Sequence, residues 1–311
     1  MSSRDYEFVQ VDVFTKTALT GNPLAIFPDA RALSDEQMQA IAREMNLSET
    51  TFILPREPRV EAEKGTRVRI FTVEEELPFA GHPTLGTSLY LYSTAASTGP
   101  DEISLDLNVG KIDIRFRPDT KEKNSRVAGN VFGEMRQRDP EFTRTLPRDE
   151  IAAVLRGGAD QIASEWPSQI VSTGLPFGVV PIRDVNALTN LKPDLGKVSA
   201  VLEGTGARFC YFIAPAEGRN WRKVRARMFF YGGEDPATGS AAGCAVSWMV
   251  RHGLAKSDEQ IVIHQGVEAR RPSEIFVRAT GDGPSRTGTE KVTNVRVGGY
   301  AVEVLRGTLS L

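Results

Sequence analysis

The sequence predicts an α+β fold made of two similar α/β halves. Short strand-like segments alternate with apolar helices along all 311 residues. A shift of 158 positions places residues 67–81 on residues 225–239 without a gap, with six identities in fifteen positions, where composition alone gives about one. Two unrelated strand–turn–helix units with similar turn residues are the alternative, but the shared order favours a duplicated domain. The identities pair Arg67, Arg69, Phe71, Glu76, Pro78 and Gly81 with Arg225, Arg227, Phe229, Glu234, Pro236 and Gly239.

The first half begins with two strands and a helix. Period-two alternation at residues 7–14 predicts a half-buried strand, and the apolar run at 24–27 predicts a second. Ser34 and Gln37 have the spacing of a capping box, which predicts the start of a helix. An apolar stripe follows at helical spacing, and Asn46 is a residue that favours a helix end.

The rest of the first half contains strands around one uncharged helix. Residues 49–54 and 68–72 are strand-like, and residues 103–116 have the pattern of a hairpin. Residues 85–92 carry no charge, so a helix there is expected to be buried on most sides. Pro83 suits the first turn of that helix, where a missing N–H costs nothing.

The second half repeats this style of strand, turn and buried helix. Helices are predicted at 147–155 and at 240–252, where Gly253 favours a stop. Strands are predicted at 131–135, 170–173, 178–182, 209–213, 224–230, 261–263 and 302–304. The polar segment 117–126 predicts the linker. The domains are therefore expected at 1–122 and 123–311, with the last strand free to return to the first half.

Composition excludes several classes of protein. The chain has 38 Lys+Arg against 40 Asp+Glu, so its net charge is −2, which argues against a nucleic-acid partner. No apolar stretch approaches the length of a membrane-spanning helix, and the N-terminus lacks the apolar region of a signal peptide. The two cysteines, Cys210 and Cys244, are expected to be free and buried in a cytoplasmic protein. We therefore expect no membrane partner.

Motifs for metals, nucleotides and serine nucleophiles are missing from the sequence. The three histidines form no H-E-x-x-H site, and the cysteines form no C-x-x-C pair, so no metal site is predicted. There is no phosphate-binding G-x-x-x-x-G-K-[ST] and no dinucleotide fingerprint. The segment 238–242 does not match the G-x-S-x-G nucleophile elbow.

Each repeat places glycine and a polar residue at the start of a buried helix. Gly81 and His82 occupy this position in the first half, and Thr238, Gly239 and Ser240 occupy it in the second. A helix start presents unpaired N–H groups and a partial positive charge, and glycine lets a ligand approach the backbone. Two such starts facing one cleft would bind a small carboxylate. Capping and turning alone remain the alternative for either start considered separately.

Three ionisable residues are candidates for chemistry. Glu49 precedes an apolar strand, where burial of a carboxylate favours proton-transfer roles. A glutamate on the solvent side of an edge strand is the alternative. Asp235 either orients His82, binds a substrate amine, or forms an ordinary Asp-Pro turn. His82 alone is more often structural, but its place in an anion-binding turn favours a functional role.

Four motifs follow one another along the chain: Gly21-Asn22-Pro23, Asn46-Leu47-Ser48-Glu49-Thr50, Phe79-Ala80-Gly81-His82-Pro83-Thr84 and Glu234-Asp235-Pro236-Ala237-Thr238-Gly239-Ser240. In residues and order they resemble those of the PhzF family of phenazine-biosynthesis proteins. The resemblance covers nearly the whole chain and implies a diaminopimelate-epimerase-like fold, with a curved mixed sheet wrapped around a central helix in each half. Phe71-Thr72-Val73 departs from a common Phe-Thr-Pro, outside the catalytic motifs.

The resemblance also implies residue roles. Glu49 matches the family's acid/base, with His82 and Asp235 as further catalytic residues. The substrate-binding positions that it implies are Asn22, Gly81, Thr238, Gly239 and Ser240. Related epimerases and racemases use two cysteines at positions that look like Ala80 and Thr238 here, so two-cysteine racemisation is not available to this chain.

The implied activity is isomerisation without a cofactor. The family's isomerase moves a proton on trans-2,3-dihydro-3-hydroxyanthranilate, so we expect a small amino- or hydroxy-carboxylate substrate and, from the resemblance, a homodimer. One alternative is an epimerase that works through the single base Glu49. The other is a non-catalytic binding protein with the same fold, which would have no need of the whole residue set.

Overall fold

The computed structural model describes residues 4–95, 101–118, 130–218, 220–230, 233–282 and 291–311. The chain divides into two compact units, Met1–Arg136 with Gly298–Leu311, and Gln137–Val297. The predicted boundary between residues 122 and 123, and most of the predicted linker, lie outside the described residues. That boundary therefore stays a prediction.

The described residues form eighteen strands and seven α-helices. The strands are β1 (Asp5–Val13), β2 (Asn22–Phe27), β3 (Glu49–Leu54), β4 (Thr66–Phe71), β5 (Glu76–Leu77), β6 (Glu102–Leu107), β7 (Gly110–Pro118), β8 (Val131–Arg136), β9 (Glu141–Leu146), β10 (Ser168–Ser172), β11 (Pro176–Pro181), β12 (Cys210–Glu217), β13 (Asn220–Phe230), β14 (Gly233–Glu234), β15 (Ile261–Gln265), β16 (Ser273–Gly281), β17 (Val292–Gly299) and β18 (Ala301–Ser310). The helices are α1 (Asp35–Met45), α2 (Pro58–Lys64), α3 (Gly81–Thr94), α4 (Arg148–Val154), α5 (Val185–Thr189), α6 (Leu195–Leu202) and α7 (Gly239–Arg251).

Local signals in the sequence fix the ends of α1. Ser34 accepts a hydrogen bond from the Gln37 N–H, and the Gln37 side chain accepts one from the Ser34 N–H, so the predicted capping box is confirmed. Asn46 ends the helix in the left-handed conformation with φ of 51°. The sequence does not predict the short helices α2, α5 and α6, because each has too few turns to show a clear apolar stripe.

The sheet of the first unit mixes parallel and antiparallel pairs. From one edge its order is β18, β1, β2, β3, β4, β6, β7 and β8. The pairs β2–β3 and β4–β6 are parallel, and the other pairs in this order are antiparallel. The two-residue strand β5 returns on β4 just before α3.

The second unit repeats this succession of pairs. Its order is β9, β10, β11, β12, β13, β15 and β16, in which β11–β12 and β13–β15 are the parallel pairs. The two-residue strand β14 returns on β13 just before α7, as β5 does on β4. The predicted α+β class, with two similar halves that each hold a mixed sheet and a central helix, is confirmed.

The duplicated segment has the same local structure in both units. Arg69 donates from Nε and Nη2 to the two carboxylate oxygens of Glu76, at 2.8 and 2.6 Å. Arg227 donates in the same way to Glu234, at 2.9 and 2.7 Å. Each guanidinium also lies over the phenylalanine two residues later, at 5.0 and 4.7 Å. The six identities therefore mark one local structure that occurs in both units.

The central helices are buried within their own units. α3 packs against β1, β2, β3, β6 and β8, and its first nine residues are all buried. α7 packs against β10, β11, β12 and β16, and every residue except Arg251 is buried. Both thiols are free and buried, as predicted. No helix in the described ranges has the length and apolar character needed to cross a membrane.

Candidate active site

Glu49 lies at the first position of an interior strand. β3 is hydrogen-bonded to β2 on one side, where Glu49 pairs with Leu24, and to β4 on the other. Only 16% of the Glu49 side chain is exposed. The alternative of a solvent-facing glutamate on an edge strand is therefore wrong.

Three polar residues of the first unit meet at the start of α3. Glu49 opens β3, Asn22 opens β2, and His82 is the second residue of α3. The Glu49 Oε2 atom lies 3.5 Å from His82 Nδ1. The Asn22 side-chain nitrogen lies 3.3 Å from the same Nδ1. The fold therefore brings together residues that are 60 positions apart in the chain.

His82 is a neutral imidazole at physiological pH. It is 4% exposed, and burial lowers its pKa to about 3. The ring also hydrogen-bonds to the Pro23 backbone, which can only accept because proline has no N–H. Within the described part of the chain, Nε2 is buried and has no hydrogen-bond partner. His82 is thus a weak base beside the Glu49 carboxylate.

The start of α3 is uncapped by any side chain. Its N-cap residue, Ala80, makes no side-chain hydrogen bond, in contrast to Ser34 at the start of α1. Helix geometry leaves the N–H groups of Gly81 and His82 without an intrahelical acceptor. Together with the helix dipole they form a suitable place for one carboxylate group of a ligand.

In the second unit, Asp235 and Thr238 form a hydrogen-bonded turn before α7. The Thr238 hydroxyl donates to Asp235 Oδ2 at 2.6 Å, and the Asp235 N–H donates to the Met228 carbonyl at 2.9 Å. Asp235, Thr238 and Ser240 are all buried. The Thr238 side chain makes no capping bond to α7, because its hydroxyl is directed to Asp235 instead.

The predicted site residues fall into two groups. Asn22, Glu49, Gly81 and His82 lie together in the first unit. Asp235, Thr238, Gly239 and Ser240 lie together in the second. The prediction that both helix starts face one cleft stays a prediction. So do the roles given to the individual residues, including that of Asp235 toward His82.

One residue at the second group had no signal in the sequence. Gln265 ends β15 and hydrogen-bonds to both Asp235 and Thr238. It lies about thirty positions from them, on a strand whose pairing with β13 brings it there. Only tertiary structure reveals this contact, since a glutamine at a strand end has no distinctive pattern.

Comparison with known proteins gives matches over nearly the full chain. The family model PhzC-PhzF, described as phenazine biosynthesis-like protein, matches residues 11–307. A protein of Pseudomonas chlororaphis named trans-2,3-dihydro-3-hydroxyanthranilate isomerase is 39% identical over 98% of this chain and 100% of its own length. The protein of that name from Pseudomonas aeruginosa is 37% identical over 97% of this chain and 98% of its own length.

Solved structures give the same picture. A predicted epimerase of Pseudomonas aeruginosa is 34% identical with a TM-score of 0.77, covering 98% of this chain and 99% of that one. A Bacillus anthracis phenazine biosynthesis protein of the PhzF family has a TM-score of 0.82 at 24% identity, over 98% of this chain and 99% of its own. The second likeness, below 25% identity, bears on the fold alone.

Proposed function

Because the chain belongs to the PhzC-PhzF phenazine biosynthesis-like family, we propose that it is an isomerase of the trans-2,3-dihydro-3-hydroxyanthranilate type, moving a proton on a small carboxylate. The family and the isomerase class predicted from the sequence motifs are confirmed by full-length relatives. The observation that carries the mechanism is the mostly buried Glu49 carboxylate beside a neutral histidine.

Glu49 serves as the single acid–base group in this proposal. Its carboxylate accepts a proton from one substrate carbon, and the electrons of that C–H bond form a new double bond. The original double bond shifts, and the resulting carboxylic acid returns the proton to a different carbon. No atom is gained or lost, so the reaction needs no second substrate. Burial lowers the pKa of His82 to about 3, so its imidazole is too weak a base to compete for the proton.

The surrounding groups stabilise the charge that develops during this transfer. The start of α3, where Ala80 supplies no side-chain cap, offers N–H groups suited to the substrate carboxylate. His82 Nε2 is buried without a partner among the described residues, so it is open to a hydrogen bond with the substrate. Asn22 contacts the other ring nitrogen, Nδ1. These features support proton transfer on a carboxylate substrate, and they do not distinguish substrates that differ in their carbon skeleton.

The geometry at Thr238 favours isomerisation over epimerisation. Inversion of a stereocentre normally requires a second acid on the opposite face of the substrate. The family resemblance assigns that position to Thr238, a poor acid whose proton already lies in a 2.6 Å hydrogen bond to Asp235. We therefore expect a shifted double bond, with at most slow epimerisation.

Turnover of trans-2,3-dihydro-3-hydroxyanthranilate in D2O tests this proposal. NMR should locate deuterium at a new carbon, together with a moved double bond. Deuterium only at an inverted α-carbon would favour the single-base epimerase instead. Binding of the compound without any exchange would favour a non-catalytic binding protein.

Two further expectations belong to the same proposal. We propose a homodimer on the strength of the family resemblance, which light scattering on the purified protein can test. We also propose a cytoplasmic location, supported by two thiols that stay unpaired in the described structure. Fractionation of the native organism checks that location directly.

A further inference from the structure

Gln265 uses its full hydrogen-bonding capacity, with three bonds to the turn before α7 and one to Tyr211 on β12. It is completely buried. Its amide nitrogen donates to the Asp235 carbonyl at 2.8 Å and to Thr238 Oγ1 at 2.9 Å. Its amide oxygen accepts the Thr238 N–H at 3.1 Å and the Tyr211 hydroxyl at 2.9 Å. A glutamine amide has two donor hydrogens and two acceptor positions, so all four are occupied.

The direction of each hydrogen bond in this network is fixed. Burial, reinforced by the Asp235 carboxylate, raises the pKa of Tyr211 well above its usual value, so Tyr211 stays a phenol and donates. The Thr238 N–H can only donate and the Asp235 carbonyl can only accept, so the glutamine oxygen faces the first and the glutamine nitrogen faces the second. Because Thr238 Oγ1 accepts from that nitrogen, its own proton is left for Asp235 Oδ2.

From this network we infer that Gln265 is a positioning residue of the isomerase, which orients the Thr238 hydroxyl toward Asp235 and thereby holds Asp235 as a hydrogen-bond acceptor. The inference rests on the proposed function, since Asp235 matters for turnover only if this turn belongs to the active site. Gln265 itself is placed behind the turn and acts through Thr238 and Asp235.

The backbone next to Gln265 supports the same role. Gly266 has φ of 75°, and a Cβ atom there would lie 2.5 Å from the Pro236 carbonyl oxygen and 2.3 Å from that of Arg271. Only glycine allows this approach without displacing the main chain. The end of β15 is therefore in contact with the turn through both its side chain and its backbone.

The network also defines which backbone donors remain at α7. The Thr238 N–H is taken by Gln265. Helix geometry leaves the N–H groups of Gly239, Ser240 and Ala241 without an intrahelical acceptor. An anion at this helix start is thus directed past Thr238 and onto the glycine–serine pair. Gln265 in this way separates the part of the turn that orients Asp235 from the part that meets a ligand.

The variant Gln265→Glu tests the direction of the network at almost constant shape. The new carboxylate cannot donate to Thr238 Oγ1, so the Thr238 hydroxyl is free to turn away from Asp235. We expect kcat on trans-2,3-dihydro-3-hydroxyanthranilate to fall about 10- to 100-fold, the range that follows from small misplacements in active sites. The acidic limb of kcat/KM should move to higher pH, because a carboxylate that loses a donor is protonated more easily.

Two further variants separate positioning from folding. Tyr211→Phe removes only the hydroxyl behind Gln265 and leaves both donations from its nitrogen, so we expect kcat within about threefold of the parent. Thr238→Val removes the hydroxyl that Gln265 orients. Combined with Gln265→Glu it should lower kcat no further than the more damaging single change, because the two act through one path.

Hydrogen exchange supplies a readout that does not depend on turnover. Gln265→Leu removes the acceptor of the Thr238 N–H, so exchange across residues 235–242 should accelerate at least about tenfold relative to the parent and to Tyr211→Phe. Parent-like kcat and pH dependence in Gln265→Glu would overturn the inference, and so would unchanged exchange in Gln265→Leu. If the parent protein fails to turn over the substrate, the proposed function fails, and exchange alone then decides whether Gln265 fixes the turn.

Discussion

Replacement of Glu49 by glutamine is the most direct perturbation of the proposed acid–base group. The amide has nearly the same shape as the carboxylate and keeps an oxygen near His82, but it cannot take up and return a proton. Because burial keeps the His82 imidazole neutral, the change removes no ion pair with that ring. The free energy of unfolding should change by less than about 1 kcal/mol.

The expected loss of activity follows from the weak basicity of the neighbouring His82. Burial lowers its pKa to about 3, which makes it a weak proton acceptor at pH 7. General acid–base groups contribute about 10²- to 10⁴-fold to rate. We therefore expect kcat to fall by at least about 100-fold, while KM stays close to that of the parent.

The assay follows conversion of trans-2,3-dihydro-3-hydroxyanthranilate and deuterium uptake by NMR in parallel. Glu141→Gln is the matched control, because Glu141 also opens a strand, β9, but is exposed. The control should keep parental turnover and deuterium uptake. Parental kcat in Glu49→Gln would refute the assignment of Glu49, whatever the control shows.

Three other predictions address stability and the buried groups. Arg227→Met should lower the free energy of unfolding in urea by about 3–5 kcal/mol, because it leaves Glu234 without its arginine and removes the donor from three carbonyls, two of them in buried contacts. Arg69→Met, at a more exposed pair, should lower it by about 1–2 kcal/mol. As the pH falls from 7.5 to 5.5, His82 should lower the free energy of unfolding by about 1.4 kcal/mol. The reason is that its imidazole has a pKa near 6.5 in the unfolded chain but about 3 in the folded one, so only the unfolded chain takes up the proton in this range. The variant His82→Gln should lack this part of the pH dependence. Burial raises the pKa of Cys210 to about 12 and that of Cys244 to about 11, so an aromatic disulfide reagent should label neither thiol at pH 8 until the protein is unfolded, and early labelling would contradict the burial.

The sequence predicts those parts of the fold that local chemistry determines. Ser34, Gln37 and Asn46 delimit α1 through contacts made within the helix itself. The hairpin of β6 and β7 was predicted from two strand patterns around one glycine-containing turn, and Gly110 indeed has φ of 108°. In both cases the stabilising contacts lie between near neighbours in the chain, where pattern and structure coincide.

The candidate site shows the limit of this reasoning. Motif resemblance identified Asn22, Glu49 and His82, but the 3.5 Å contact between Glu49 and His82 depends on how β3 and α3 pack. Gln265 was not predicted at all, although it makes four hydrogen bonds around the second helix start. Such a residue contacts neighbours that are distant in the chain, and a periodic sequence pattern does not reveal contacts of that kind.

The two copies of the repeat differ at the position that matters most for chemistry. In the first unit Thr50 pairs with Phe71, so Glu49 lies one residue before that pair. In the second, Tyr211 pairs with Met228, so the residue opposite Phe229 is Cys210, and Phe209 occupies the place of Glu49.

At the helix starts, His82 likewise corresponds to Ser240, and Ala80 to Thr238. Duplication has kept the arginine–glutamate pair in both units, because that pair fixes the strand and turn before each central helix. The contact between a glutamate and a histidine occurs in the first copy, and the second has hydroxyl groups at the start of its helix. An enzyme with an acid on one side of its substrate is suited to moving a proton between two carbons of one face, and poorly suited to inverting a centre.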